Sequence, residues 1–155
     1  MFYKNIDLDD KLRNLNAIDV GKDLLGDKLK LQENGVRAWA RCLWHSDGRK
    51  PSMNFNKKLN LYHCFGCGKL GGPLMFIFNS NLVDPFEYLD KKLGFKKENR
   101  DQFEILRDRL YSEIFRLGKY MWDFDNPTIN TIDHKYQRLF YNQRHAEIYN
   151  RINDF

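Results

Sequence analysis

Four residues constrain this chain more than any other: Cys42-x-x-His45, then eighteen residues, then Cys64-x-x-Cys67. Each C-x-x-C or C-x-x-H pair places two ligands about one tight turn apart, and the spacer is long enough for a short hairpin that returns the second pair to the first. All three cysteines of the protein fall within this pattern. An odd count argues against full disulfide pairing. The expectation is one tetrahedral zinc ion held by Cys42, His45, Cys64 and Cys67. Four protein ligands leave no open position for water, so the zinc is expected to be structural and not catalytic. His63 neighbours Cys64 on a strand and should point to the opposite face, as a structural or surface histidine.

Around this knot the hydrophobic period changes. Asp7 to Leu25, with Ile6 just before it, carries Leu8, Leu12, Leu15, Ile18, Leu24 and Leu25 at three and four spacings, which predicts two short helices. Arg37-Ala38-Trp39-Ala40-Arg41 alternates as a strand does, and Ser52 to Asn56 and Asn60 to Cys64 are further strand candidates, joined near Lys57-Lys58. Gly71-Gly72 followed by Pro73 predicts a turn into a short apolar helix. Asp84, Pro85 and Glu87 form a capping-box-like start for a helix ending at Gly94. From Glu98 onward Phe103, Leu106, Leu110, Ile114, Leu117 and Met121 predict about six helical turns. A break is expected over Asp123 to Thr128, then a second helix, so residues 97–155 are expected to form a helical hairpin. The expected fold is α+β, a small antiparallel zinc-ribbon-like sheet with flanking helices over residues 1–96 and a C-terminal helical appendage over 97–155.

Charge is uneven. Of the 26 basic and 21 acidic residues, residues 1–96 hold 16 and 11, whereas residues 97–155 hold 10 of each. Within residues 35–69 seven basic residues face a single acid, Asp47. Three thiolates around one zinc ion leave the site itself at about −1, which offsets little of that field. Cations interleaved with aromatic rings suit a single nucleic-acid strand, where phosphates need positive charge and unpaired bases need stacking surface. The candidate contacts are Arg37, Trp39, Arg41, Arg49, Lys50, Lys57, Lys58, Tyr62, Phe65 and Lys69. Strand parity puts Arg37, Trp39 and Arg41 on one face.

The tract Tyr62-His63-Cys64-Phe65-Gly66-Cys67-Gly68, with Cys42-Leu43-Trp44-His45 before it and Lys50-Pro51-Ser52 between, resembles the CHC2 zinc-binding domain of bacterial and phage DNA primases. The likeness spans roughly Ala17 to Leu93 and includes the helix from Ala17 and the Gly71-Gly72 turn. Leu43 and Trp44 stand where that family usually has proline and phenylalanine, and Pro73 where an acid is common. The resemblance implies a surface that reads single-stranded template DNA during replication priming. It also implies a following catalytic domain, which the short, helical residues 97–155 do not resemble. The expectation is therefore a non-enzymatic accessory to a separate primase, polymerase or helicase, in a phage or other mobile element, with residues 97–155 either packing on the zinc unit or docking the partner. Two rivals stand beside it: a zinc-stabilised adaptor that binds protein and not DNA, and a minimal primase or nuclease.

The rival enzyme would need clustered acids. Asp123-Phe124-Asp125 is a weak candidate for holding magnesium and reads better as turn and capping residues. His134 and His145 are eleven residues apart on an expected helix, more than about 15 Å, too far to share a metal. The chain has no apolar run of membrane-spanning length and no secretory leader, so a cytosolic protein without membrane attachment is expected.

Overall fold

A computed structural model describes residues 6–125 apart from Asp47 and Arg49. Two helices open the fold, α1 (Ile6–Arg13) and α2 (Ala17–Leu25), as the apolar spacing predicts. Asn16 separates them: its side chain accepts the Ile18 backbone N–H at 2.9 Å, satisfying a donor that the first turn of α2 cannot pair internally. A 3-10 turn (Gly26–Lys28) leads to the sheet, β1 (Lys30–Leu31), β2 (Arg37–Ala40), β3 (Met53–Asn56), β4 (Leu61–Cys64) and β5 (Leu70–Gly71). The strands pair in chain order, every pair antiparallel. Helices α3 (Pro73–Asn79), α4 (Pro85–Leu93) and α5 (Arg100–Asp125) complete the described chain. The α+β, zinc-ribbon-like architecture is as expected.

Register assigns the two faces of the sheet. Ala38 lies opposite Phe55, which lies opposite Tyr62, and all three are fully buried. Phe76 of α3 meets this face edge-on, 5.1 Å from Phe55 and 5.0 Å from Tyr62 between ring centroids. The other face follows from the alternate residues: Trp39 opposite Asn54, and Asn54 opposite His63.

Helix α4 begins and ends where its capping residues stand. Asp84 accepts from the Phe86 and Glu87 N–H groups at 3.0 and 3.3 Å, and the helix stops at Gly94. Helix α5 belongs to the same core as the sheet. Leu106, Leu110, Ile114 and Leu117 are buried in one cluster with Phe55, Tyr62 and Phe76, so the described part of residues 97–155 shares its apolar interior with the zinc unit. Helix α5 is continuous through Asp123 to Asp125, and the rest of the expected break, to Thr128 with Asn126-Pro127, lies outside the described residues. The second helix of the expected hairpin, with His134 and His145, lies outside the described residues.

Candidate metal centre and nucleic-acid face

The two ligand pairs come from different kinds of backbone. Cys42 and His45 lie in the loop after β2, Cys64 ends β4, and Cys67 lies in the turn that follows. Pairing of Met53 with both Ala40 and Cys64 aligns the ends of three strands, so the antiparallel sheet itself brings the loop after β2 beside the turn after β4. The four ligand atoms lie within 4.8 Å of one another. His45 Nε2 is 3.0 Å from Cys64 Sγ, and the Cys42 and Cys67 sulfurs are 3.7 Å apart. A tetrahedron with arms of about 2.0–2.3 Å has edges of about 3.3–3.8 Å, so the Cys42–Cys67 separation is that of a zinc tetrahedron, and the remaining ligand atoms need shift by no more than about 1 Å to close on a single ion.

The surroundings prepare those donors. His45 Nδ1 donates to the Ser46 carbonyl at 3.2 Å, which aims Nε2 at the other ligands. Burial disfavours the Cys64 thiolate, but hydrogen bonds from the Ser52 hydroxyl (3.2 Å) and the Cys67 N–H (3.5 Å) outweigh it, holding the thiol down at about 6. Burial pushes Cys42 up to about 12 against the Trp44 N–H. One ligand is thus readily a thiolate, whereas the other requires the cation's field to lose its proton. Gly66 is required by packing: a Cβ there would lie 2.6 Å from His45 Cε1.

Trp44, between the first two ligands, anchors the knot to the core. Its ring stacks on Tyr62 at 5.6 Å and 25°, meets Phe76 edge-on, and its Nε1–H donates to the Asn79 carbonyl at 3.3 Å. Sequence reasoning noted Trp44 only as a departure from the family pattern and missed this role.

The candidate nucleic-acid contacts divide. Arg37 and Arg41 are exposed and Trp39 is half-buried, while Ala38 and Ala40 between them are buried, as parity requires. Phe65 is 51% exposed and lies 6.1 Å from Trp39 and 4.6 Å from His63, which places it on the same side. Arg37 Nη1 reaches Asn54 Oδ1 at 3.4 Å, and Arg41 Nη1 donates to the Gly48 carbonyl at 2.7 Å. Lys50, Lys57 and Lys58 are exposed. Lys69 is half-buried, with its ammonium 5.2 Å from the centre of the Trp44 ring. Arg49 lies outside the described residues. Tyr62 is corrected: with no exposed surface it offers no face to a base. Tyr62 is two residues before Cys64, and that parity turns it inward with Phe55.

This is a zinc ribbon with a Cys-His-Cys-Cys site on a five-stranded meander, and comparison with known families places it further. Residues 7–104 match the model described as CHC2 zinc finger, and the chain belongs to that family. It is 28% identical over 138 residues to the DNA primase of Clostridium acetobutylicum, a match covering 84% of this chain and 22% of that protein. It is 32% identical over 69 residues to the DNA primase of Escherichia coli, covering 44% of this chain and 12% of that protein. A crystal structure of the Aquifex aeolicus primase, zinc-binding and RNA polymerase domains, aligns with a TM-score of 0.44 and 23% identity over 83% of this chain and 30% of that one. The chain therefore spans only a minor part of the length of these primases. Among the described residues no helix is long and apolar enough to cross a membrane.

Proposed function

We propose that this chain is a zinc-stabilised module that recognises single-stranded DNA in replication priming. In this reading it contributes recognition and not catalysis, as an accessory to a separate primase, polymerase or helicase of a phage or other mobile element, and it works in the cytosol. Residues 97–155 would dock that enzyme only outside the face by which α5 packs on the zinc unit. The matches to primases over their zinc-binding part support the priming context. The observation that carries the DNA reading is the pairing of Trp39 with Phe65, 6.1 Å apart, on the strand face where Arg37 and Arg41 are exposed. Rings offer stacking to any base, and the flanking guanidiniums offer charge to the phosphates on either side.

Fluorescence anisotropy of a short labelled oligothymidylate with the zinc-loaded chain tests it. Trp39→Ala should weaken binding by about 1–3 kcal/mol, the worth of one stacked base. Charge reversal at Arg37 and Arg41 should abolish capture at moderate salt. Unchanged capture by both variants would contradict the reading. Absence of oligonucleotide binding by the parent chain would favour the protein adaptor, and magnesium-dependent primer synthesis or cleavage by the purified chain would favour an enzyme.

A further inference from the structure

Helix α5 continues past residue 104, where the family match ends, and this continuation carries Glu113 and Arg116. Glu113 is buried and turned toward α3, whereas Arg116 is exposed and reaches the sheet. Its guanidinium donates from Nη1 to the Leu59 carbonyl at 2.6 Å and from Nη2 to the Asn60 carbonyl at 2.9 Å. Both carbonyls belong to the turn between β3 and β4, whose first two residues are the exposed Lys57 and Lys58.

On its N-terminal side that turn is held by the sheet, the Lys57 N–H donating to the Val36 carbonyl at 2.8 Å. The Asn56 side chain, at the end of β3, accepts the Leu59 N–H at 3.0 Å. Asn60, in the left-handed region at φ 55°, accepts the Ala17 N–H at 2.7 Å and donates to the Leu15 carbonyl at 2.9 Å, fastening the turn to the link between α1 and α2. Arg116 fastens it to α5. A planar guanidinium presents its N–H groups in a fixed fork and can hold two successive carbonyls at once, which a single ammonium does poorly. With that edge of the fork on the backbone, a phosphate oxygen would have to displace two carbonyls to take those donors.

Resting on the single-strand reading above, we infer that Arg116 is a positioning residue for the basic turn: it orders the backbone that presents Lys57 and Lys58 and does not itself bind phosphate. The residue lies outside the matched region, so this ordering is supplied by the part of α5 that extends beyond it. The inference makes α5 part of the recognition surface's support.

The test uses the full zinc-loaded chain, the labelled oligothymidylate across a salt series, and amide hydrogen exchange of residues 57–61. Arg116→Ala should weaken binding about three- to tenfold through the cost of ordering the turn, with an unchanged salt slope and faster exchange in the turn. Lys57→Ala should lower the slope by about 0.7 and leave exchange unaltered. Arg116→Lys, which keeps charge but not the fork, should behave as the alanine variant does. A slope reduced by about 0.7 in Arg116→Ala with protection retained would make Arg116 a phosphate contact and overturn the inference. Full rescue by Arg116→Lys would overturn it as well. If the parent chain binds no oligonucleotide, the single-strand reading itself fails. If the parent binds and Arg116→Ala matches it in affinity and exchange, only the inference fails.

Discussion

Glu113 closes directly over Gly72: a Cβ on residue 72 would lie 2.3 Å from the Glu113 side-chain Cδ. The carboxylate occupies the place where the first turn of α3 needs acceptors. Its Oε2 takes the Leu74 N–H at 3.1 Å and its Oε1 the Met75 N–H at 3.0 Å, so a residue 39 positions downstream caps a helix that has no side-chain cap of its own. Gly72→Ala must displace this group within a packed interface and should cost about 1–3 kcal/mol. Glu113→Ala leaves two backbone donors unpaired and should cost at least as much. Urea unfolding of the zinc-loaded protein measures both as a lowered midpoint at constant m.

The same burial makes stability depend on pH. Desolvation pushes the Glu113 carboxyl up to about 7 from 4.5, against the lowering effect of the Met75 and Leu74 N–H groups. Between those values the folded protein holds more protons than the unfolded chain, so Glu113's contribution to stability is complete below pH 4.5 and is lost as pH rises through about 7. The full swing is roughly 3 kcal/mol. The zinc thiolates act in the opposite sense, because protons compete with metal for them. The difference in unfolding free energy between the parent and Glu113→Gln, followed from pH 5.5 to 7.5 at saturating zinc, isolates the glutamate. The parent should lose ground to the glutamine variant as pH rises over that range.

Trp44 couples the metal knot to the core through Tyr62, Phe76 and the Asn79 carbonyl. Trp44→Ala removes a large ring from that contact and should destabilise the fold by about 3 kcal/mol. It should also weaken zinc retention against a chromophoric chelator. Tyr62→Phe, altering only a buried hydroxyl, should leave oligonucleotide affinity unchanged, in contrast to Trp39→Ala.

How much of this was legible in the chain depends on how local each interaction is. Cys42, His45, Cys64 and Cys67 could be read because ligand spacing is a local geometric requirement, and α4 because Asp84, Pro85 and Gly94 mark its ends within their own neighbourhood. The outward set of β2 followed from parity alone. The same parity, counted back from Cys64, would have turned Tyr62 inward, but its ring beside lysines suggested a base contact instead. Strands β1 and β5 are two residues each, too short for any period to show. Glu113 and Arg116 read as ordinary charged helix residues, since their partners at 72–75 and 59–60 are known only once the chain has folded.

Metal removal should unfold the ribbon. A small zinc module gains on the order of 10 kcal/mol of folding free energy from its ion at neutral pH. Chelation, or Cys64→Ser, should therefore abolish amide protection across β2 to β4, with elemental analysis of the untreated protein giving one zinc per chain. The apolar cluster that α5 shares with α1 and α3 should retain more protection than the strand ends that carry the ligands.

The salt dependence of single-strand binding tests the central claim most directly. If the cationic face holds about five phosphates, a plot of log Kobs against log salt for a short oligothymidylate should fall with a slope near −3.5, and the slope should shrink in Arg37→Ala and Lys57→Ala. A slope near zero, or affinity lost only with a protein partner's removal, would contradict the account and leave the zinc ribbon as a scaffold for protein contacts alone.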